Sequence, residues 1–479
     1  MATRLACLSI LLAAAILAGC LPETRIAWSP DGKCALVRGG DGLYLCDGDG
    51  KLSPRIAEEV SAIAWMPDSR RFIAVCDKRI ATWTDLAPHL PDAVQQAAKA
   101  QAESFRQQVL AYKGDWEKFS FEAKPADIVA ALMCLRDLYG KKLGPAVGEK
   151  WKDLEKLQHT VRLVQLYEVE DGQAKLVKTL FESLAPMIEI RIAPGGKALA
   201  YTSPPYPPES PDPCFSLYVA TLASPEKPRL VDDRVSAFFD WTPDGRALVY
   251  ARANTPELGS SMPRITLSIT ERDLNYTRDR LRQSYRQRGL RVGRINKCTP
   301  LAEDGAPKEK MASTILADVG FFDSLPVRCL KDGRVLFAAR EIHLPMAEPS
   351  SQPLSLFSLE PAGPKMVRLH FTAEARNGSY GSLELFQLSP DETRIAFPSQ
   401  KGIISIVDLA TGQVTKSEDA SAPLKTIPVW RSNDELCFVV PRGSNSGSPT
   451  RQEVVLWSPT ETRCISKDWP QPVAKGLLE

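Results

Sequence analysis

Short runs of apolar residues alternate with polar turns along most of the chain, and one unit of this pattern recurs. Each copy has a short apolar strand, a turn related to Pro-Asp-Gly, and a second apolar strand. Apolar runs of this length, bounded by turn residues, indicate buried β-strands. The seven copies occupy residues 26–32, 63–69, 190–196, 239–245, 327–333, 385–391 and 429–434. Repetition of one unit predicts an architecture built by stacking that unit.

The residue types in each copy explain why the chain turns there. Pro presets φ for the first turn position, Asp caps the turn with its side chain, and Gly accepts a positive φ. Further apolar strands follow several copies, at 42–46, 215–219, 354–357, 403–407 and 453–457, and weaker fourth strands are visible at 413–416 and 462–466. The unit therefore has four antiparallel strands.

These copies resemble the repeats of TolB-like and WD-type β-propellers, in which this turn joins the first two strands of a blade. The resemblance covers about residues 25–466, although the regular Gly-His and Trp-Asp dipeptides of WD repeats are absent. It implies an all-β fold, a seven-bladed β-propeller of four-stranded blades spanning 20–479. No spare N-terminal strand is visible, so the ring is expected to close by packing of neighbouring blades. A β-sandwich is the alternative for a chain of many short strands.

Two intervals between turns are much longer than a blade needs, and each predicts an insertion. The first, 78–160, reads as mainly helical and falls between the second and third strands of blade 2. Its apolar stripes are Val94, Ala98, Phe105 and Val109, then Ile128, Leu132, Leu135 and Tyr139. Such helices could form a cap on one face of the propeller that gates a site or binds a ligand. Alternatively, they could be a decoration that packs on the propeller rim.

The second insertion, 275–307, falls in blade 4 and is rich in arginine. Its cations are Arg278, Arg280, Arg282, Arg286, Arg288, Arg291 and Arg294. This candidate anion-binding patch would suit lipid headgroups, cell-wall polymer or an acidic protein. The alternative is a solvated helix and loop whose cations pair with acids elsewhere.

The first nineteen residues predict a signal peptide. Leu5 to Leu17 is an apolar stretch too short to span a bilayer. Leu17-Ala18-Gly19-Cys20 resembles the bacterial lipobox, which implies cleavage after residue 19 and acylation of Cys20. Leu21 follows the cysteine where an Asp would favour inner-membrane retention, so an outer-membrane location in the cell envelope is preferred. An ordinary signal peptide with an incidental Cys is the alternative.

Cysteine and histidine patterns point to no reactive or metal site. The hairpin expected near Gly40 brings Cys34 and Cys46 onto paired strands, where a disulfide or two free thiols would fit. No CxxC pair occurs, and the four His show no HExxH spacing. The acidic run Asp47-Gly-Asp49 departs from a calcium loop because Lys51 replaces a ligand. We therefore predict no catalytic residue, no metal and no cofactor.

The net charge of the chain excludes one class of protein but does not indicate a function. Sixty Lys and Arg against 58 Asp and Glu give a net charge of +2, which argues against a strongly basic nucleic-acid binder. The resemblance and the lipobox together imply a membrane-anchored lipoprotein that presents a propeller as a non-enzymatic platform for envelope proteins. The alternative is an exported propeller enzyme, or a protein that binds a glycan or small molecule at the central channel mouth.

Overall fold

The computed structural model describes residues 24–114, 121, 127–147, 149–204, 215–253, 291–302, 308, 311–322, 326–340, 354–361, 366–369, 386–398, 404–417, 427–442, 451–471, 473 and 477. These residues fold mostly into antiparallel β-strands, in agreement with the mainly β fold that the repeat predicts. The signal segment 1–19, Cys20 and the arginines from Arg278 to Arg288 lie outside the described residues.

We assign the described strands to seven groups, one for each copy of the turn. Within each group, neighbouring strands are joined by backbone hydrogen bonds. Groups 1 and 2 contain β1 (Ile26–Trp28), β2 (Cys34–Gly39), β3 (Gly42–Asp47), then β4 (Val60–Trp65), β5 (Arg71–Ile80), β6 (His159–Glu170) and β7 (Gln173–Ser183). Groups 6 and 7 contain β19 (Gln387–Leu388), β20 (Arg394–Pro398), β21 (Ile404–Asp408), β22 (Val414–Lys416), then β23 (Val429–Trp430), β24 (Leu436–Arg442), β25 (Arg451–Trp457) and β26 (Thr462–Cys464).

Groups 3, 4 and 5 are joined into one eleven-stranded sheet. Its strands are β8 (Glu189–Ile192), β9 (Ala198–Ser203), β10 (Phe215–Thr221), β11 (Ser224–Trp241), β12 (Leu248–Ala253), β13 (Arg291–Cys298), β14 (Ser313–Phe322), β15 (Val327–Cys329), β16 (Val335–Arg340), β17 (Leu354–Leu359) and β18 (Met366–Leu369). The long strand β11 pairs with β10 through its first part and with β12 through its last part. Because no Gly or Pro interrupts residues 229–241, the chain enters group 4 without a turn.

We call the seven turns together the turn ring (29–32, 66–69, 193–196, 242–245, 330–333, 389–392 and 431–434). Side chains or close backbone approaches join six of the seven successive pairs, through the contacts Asp31–Ser69, Met66–Gly196, Pro194–Gly245, Lys331–Glu392, Asp391–Asn433 and Arg431–Gly32. The last of these contacts links group 7 back to group 1, so the contacts run from group 5 through groups 6, 7, 1, 2 and 3 to group 4.

Hydrophobic clusters fill the space between successive groups. Between groups 7 and 1, Ile26 and Val37 pack against Val439 and Val454. The indole of Trp469 donates a hydrogen bond of 2.7 Å to the carbonyl of Gly50 at the same junction. All four strands of group 7 come from the C-terminal part of the chain, so groups 7 and 1 meet by packing rather than by an exchanged strand.

Among the described residues between β5 and β6 there are four α-helices and one short 3₁₀ turn. They are α1 (Trp83–Leu86), the 3₁₀ turn Ala87–His89, α2 (Asp92–Ala111), α3 (Ile128–Val147) and α4 (Glu149–Glu155). Ile80 and His159 are cross-strand partners, so the segment between these two strands is 81–158, within the predicted interval 78–160. The helices share a core of their own, in which Ala98, Phe105 and Leu135 are buried.

Two further sequence expectations concern residues that the structure describes. Residues 291–298, inside the predicted insertion 275–307, form β13 between β12 and β14, because Val292 and Ile295 continue a strand pattern among the arginines. Cys34 and Cys46 do not face each other: the register pairs Cys34 with Asp47 and Cys46 with Ala35, so both thiols are free. A one-residue offset places neighbouring side chains on opposite faces of a sheet.

Candidate functional site

The first strands of the groups surround a central cavity of about 610 Å³, which we call the axial cavity. Its wall comes mainly from β1, β4, β8, the end of β11, β19 and β23. Each of these strands leads into its turn, so the strands enclose the cavity side by side and the turn ring lies at one end. Concave sites that combine apolar walls with a few polar groups are the usual places for ligands in proteins.

One residue from each copy forms a layer around this cavity. The layer position stands three residues before the turn proline or its equivalent, and its members are Ala27, Ala64, Arg191, Asp240, Arg328, Gln387 and Val429. Six of the seven line the cavity, the exception being Arg328, which completes the layer in group 5. Small or neutral residues therefore occupy most of the layer, and charge is concentrated in groups 3, 4 and 5.

Tryptophans immediately after the layer position tie adjacent groups together. Their indole Nε1 atoms donate to the layer carbonyl of the preceding group, in the pairs Trp65–Ala27 (2.8 Å), Trp241–Arg191 (3.2 Å) and Trp430–Gln387 (3.1 Å). At the junction of groups 7 and 1, Trp28 Nε1 has no oxygen or nitrogen acceptor among the described residues. Here the Arg431 guanidinium lies over the Trp28 ring, 5.0 Å from its centre.

An ion-pair group lies where β8 meets β11. Arg191 is held by Glu189 at 2.9 Å and by Asp240 at 3.3 Å. Burial disfavours the Arg191 charge, but Glu189 and Asp240 outweigh it and raise the pKa of Arg191 above its usual value. Asp240 also accepts backbone N–H bonds from Trp241 at 3.0 Å and from Cys329 at 2.9 Å. Both oxygens of Asp240 are thus bonded within the wall.

Arg328 lies beside this ion-pair group and is only 7% exposed. Its Nη1 donates to the carbonyl of Val327 at 2.8 Å, and its guanidinium is 6.0 Å from the centre of the Phe386 ring. Burial, with the nearby Arg191 charge, lowers the pKa of Arg328 to about 10, which leaves it cationic at neutral pH. Within the described part of the chain, no carboxylate lies within 4.0 Å of Arg328.

A second polar group lines the cavity from groups 1 and 2. Arg162 and Asp77 are 3.8 Å apart, and Ser61 Oγ donates to Asp77 at 2.9 Å. Burial raises the pKa of Asp77 although Arg162 and Ser61 favour its charged form, and burial likewise lowers the pKa of Arg162. Arg38 packs nearby and donates to the carbonyl of Val60 at 2.9 Å. The cavity therefore offers charges at two separate places on its wall.

The sequence-predicted site residues lie elsewhere. Arg291 and Arg294 are in β13, where their backbones pair with Phe322 and Asp318. Among the described residues there is no group of three or more potential metal ligands, and no helix long and apolar enough to cross a membrane. Glu189, Arg191, Asp240 and Arg328 were missed by the sequence reasoning, although a signal existed. Three of them hold the layer position, where the other copies carry Ala, Gln or Val.

No family model and no curated protein matches the chain. Solved structures match it at low identity. They include hydrazine synthase of Kuenenia stuttgartiensis, with 11% identity over 91% of this chain and 96% of that chain and a TM-score of 0.47. The Cps50 (Swd1) β-propeller domain of Myceliophteria thermophila has 10% identity over 91% and 97% and a TM-score of 0.45. Oligogalacturonate lyase of Vibrio parahaemolyticus has 10% identity over 80% and 75% and a TM-score of 0.41. Identities near these values with TM-scores below 0.5 assign neither a family nor an activity.

Proposed function

We propose that the chain is a lipid-anchored protein of the bacterial cell envelope, in which a seven-bladed β-propeller serves as a non-enzymatic platform for envelope proteins. The observation that carries this proposal is the turn ring, where six of the seven pairs of successive turns are in contact. Clusters of buried side chains between successive groups add rigidity. A rigid ring with charged, exposed turns is suited to binding partners over a broad surface.

The proposed anchor is Cys20, the last residue of the lipobox-like Leu17–Cys20. Three residues separate Cys20 from Thr24, a residue of the axial cavity, and the four steps between them span at most about 14 Å when extended. An anchor at Cys20 therefore holds the Thr24 end of the cavity close to the membrane. Leu21, in place of Asp, favours the outer membrane.

This tether also orients the two ends of the ring. The first strand of each group runs from the Thr24 side to its turn, and the second strand returns. The segment 81–158 and the Arg-rich stretch both follow a second strand, so each connects to the sheets on the Thr24 side. This supports contact between the arginines 278–294 and an anionic surface. The turn ring points the other way and is the proposed docking face, where Lys33 pairs with Asp31 and Arg334 with Asp332.

A second candidate function is binding of a glycan or small molecule in the axial cavity. It is favoured by the wall of the cavity, where Trp28, Trp65 and Trp430 lie among charged side chains. Mixed aromatic and charged linings are typical of ligand sites. Partner binding at the turn ring and ligand binding in the cavity are compatible on one molecule.

The anchor is tested by labelling cells with a palmitate analogue. We expect label on the wild-type chain and none on Cys20→Ala. Cys7→Ala is the matched control, because Cys7 lies within the predicted signal peptide and its variant should keep the label. Label that persists on Cys20→Ala would overturn the anchor.

The platform is tested by recovery of partners from envelope extract with the detergent-solubilised full chain. We expect a protein partner whose recovery falls when the charge of Arg70 is reversed by Arg70→Glu, because that side chain is 68% exposed beside the turn ring. The control is Arg55→Glu, a partly exposed arginine outside the turn ring. Recovery of a glycan or small molecule without any protein would contradict the platform and support the second candidate.

A further inference from the structure

A second concave site lies where the helical segment 81–158 meets groups 2 and 3, and we call it the helix–sheet pocket. Its volume is about 270 Å³, and the residues that line it include His89 and Pro91 of the helical segment, Glu182 of β7, Tyr201 of β9 and Tyr218 of β10. We propose that this pocket binds a monosaccharide. The site is separate from the axial cavity and depends on neither the lipid anchor nor a protein partner.

Tyr201 carries a buried hydroxyl that the protein leaves unbonded. The residue is only 4% exposed, and its hydroxyl has no hydrogen-bond partner among the described residues. The rings of Phe181 and Tyr218 stack on the Tyr201 ring, with centres 5.8 and 5.2 Å away, so the hydroxyl edge is the part left to face the pocket. Burial raises the pKa of Tyr201, which keeps the proton on this oxygen. Tyr201 therefore offers a ligand an O–H donor that is costly to leave unused.

His89 and Glu182 supply hydrogen-bond acceptors to the same pocket. His89 Nδ1 lies 2.5 Å from Glu182 Oε2. Because a carboxylate only accepts, Nδ1 carries the proton, and a neutral His89 ring keeps a lone pair on Nε2. Neither His89 Nε2 nor Glu182 Oε1 is bonded to another described residue. The pocket therefore presents acceptors as well as the Tyr201 donor.

The remaining lining indicates the size and chemistry of the ligand. Pro91, Val161 and Leu184 contribute apolar wall, and the volume of about 270 Å³ lies just below the range of roughly 300–1,000 Å³ for drug-sized ligands, so a single ring is suitable. A pyranose has apolar C–H faces and hydroxyls around its edge that both donate and accept. An anion would be repelled by Glu182. An ammonium group only donates, so it would leave the Tyr201 O–H without an acceptor.

Binding is measured by equilibrium dialysis of the full chain against radiolabelled glucose, galactose, mannose or N-acetylglucosamine. The chain is solubilised in a detergent without a sugar headgroup, so that the detergent does not compete. Labelled ethanolamine is the cationic probe. We expect saturable binding of at least one of the sugars. Saturable binding of none of them, or of ethanolamine alone, would overturn the proposal.

Tyr201→Phe removes one hydroxyl and leaves the stacked ring in place. We expect an unchanged Tm, because that hydroxyl bonds to nothing else in the described chain, and a sugar affinity lower by about five- to tenfold. Tyr218→Phe, at a partly buried tyrosine of the same pocket, should also lower the affinity.

Tyr167→Phe is the matched control. Tyr167 is 5% exposed and stacks on Phe72, but it lies outside the helix–sheet pocket, so this variant should bind the sugar as the wild type does. Equal affinities in wild type and Tyr201→Phe would overturn this site and assign the sugar to the axial cavity.

Discussion

Trp241 Nε1 donates a hydrogen bond of 3.2 Å to the backbone carbonyl of Arg191, across the boundary between two strand groups. The same bond links Trp65 to Ala27 and Trp430 to Gln387. The tryptophan and the acceptor hold equivalent positions in their copies. The same position of the repeat therefore forms the same hydrogen bond between adjacent groups in all three cases. Trp28 occupies the same position at the junction of the first and last groups and has no such acceptor among the described residues.

Replacement of Trp241 by Phe should separate this hydrogen bond from packing. The Phe ring still fills most of the site, but the buried carbonyl of Arg191 loses its donor. We expect Trp241→Phe to lower the free energy of unfolding by about 1–3 kcal/mol more than Trp28→Phe does, because the second change removes no bond to oxygen. Urea unfolding of both variants measures the difference. Equal losses would mean that ring size alone matters.

Ser69 adopts φ = 57°, a left-handed conformation in which four other copies of the turn have Gly32, Gly196, Gly245 and Gly333. Its Oγ accepts the Asp31 N–H at 3.1 Å, which joins turns 1 and 2. Ser69→Ala keeps the backbone strain and loses the acceptor, so we expect a loss of about 1 kcal/mol. Ser69→Gly also loses the acceptor but relieves a strain of about 1 kcal/mol, and should remain near the wild-type stability.

Urea unfolding of the two Ser69 variants provides the measurement. The same logic applies to Glu392, which has φ = 63° and accepts the Lys331 N–H at 2.7 Å. Equal destabilisation by Ala and Gly at position 69 would show that the backbone strain is negligible.

Asp244 makes one turn sensitive to acid. Its carboxylate accepts Thr242 Oγ1 at 2.6 Å and the Arg246 N–H at 3.0 Å, and the Thr242 bond is the main reason that the pKa of Asp244 is lowered. A carboxyl whose folded pKa is lowered adds stability above its unfolded pKa, near 3.8, and loses it as pH falls through the folded value. Protonation would weaken both bonds.

We therefore expect Asp244→Asn to be less stable than the wild type at neutral pH and to approach it as the pH falls below the usual carboxyl value of 3.8. The control is Asp49→Asn, at a side chain that is 97% exposed. Urea midpoints measured across this pH range provide the test. A gap between wild type and Asp244→Asn that stays constant with pH would contradict the assignment.

Local chemistry explains which parts of this fold could be predicted from the sequence. Pro, Asp and Gly fix their own turn, so the turn ring is visible in the residues that form it. A strand register is different, because a one-residue shift costs little locally and reverses every side chain. That is why the sequence left open a disulfide between Cys34 and Cys46, whereas the register pairs Cys34 with Asp47 and Cys46 with Ala35.

The candidate site was harder to predict for a related reason. Arg328 follows a buried valine and precedes a cysteine, and nothing local distinguishes it from an exposed arginine. Its burial depends on Phe386 and Asp240, which come from other groups. Comparison of the layer position across copies would have shown it, because an arginine replaces the small residue of groups 1 and 2. The strand at 291–298 was missed because the arginine-rich composition outweighed the two β-branched residues Val292 and Ile295.

The helical segment 81–158 offers a test of the two roles left open for it, a functional cap or a decoration of the rim. Its ends are adjacent, since Ile80 and His159 are cross-strand partners, and its core is a distinct cluster that reaches the strands through Val161 and Leu163. An Asn-Gly turn in place of 81–158 would close β5 and β6 as an ordinary hairpin. We expect the shortened chain to keep its β-sheet circular dichroism and cooperative unfolding with reduced stability, because Val161 and Leu163 lose the helices that cover them.

If the helices only decorate the rim, recovery of envelope partners should be unchanged. Loss of that recovery from a folded chain would assign binding to the helices, and loss of the β signal would contradict their structural independence.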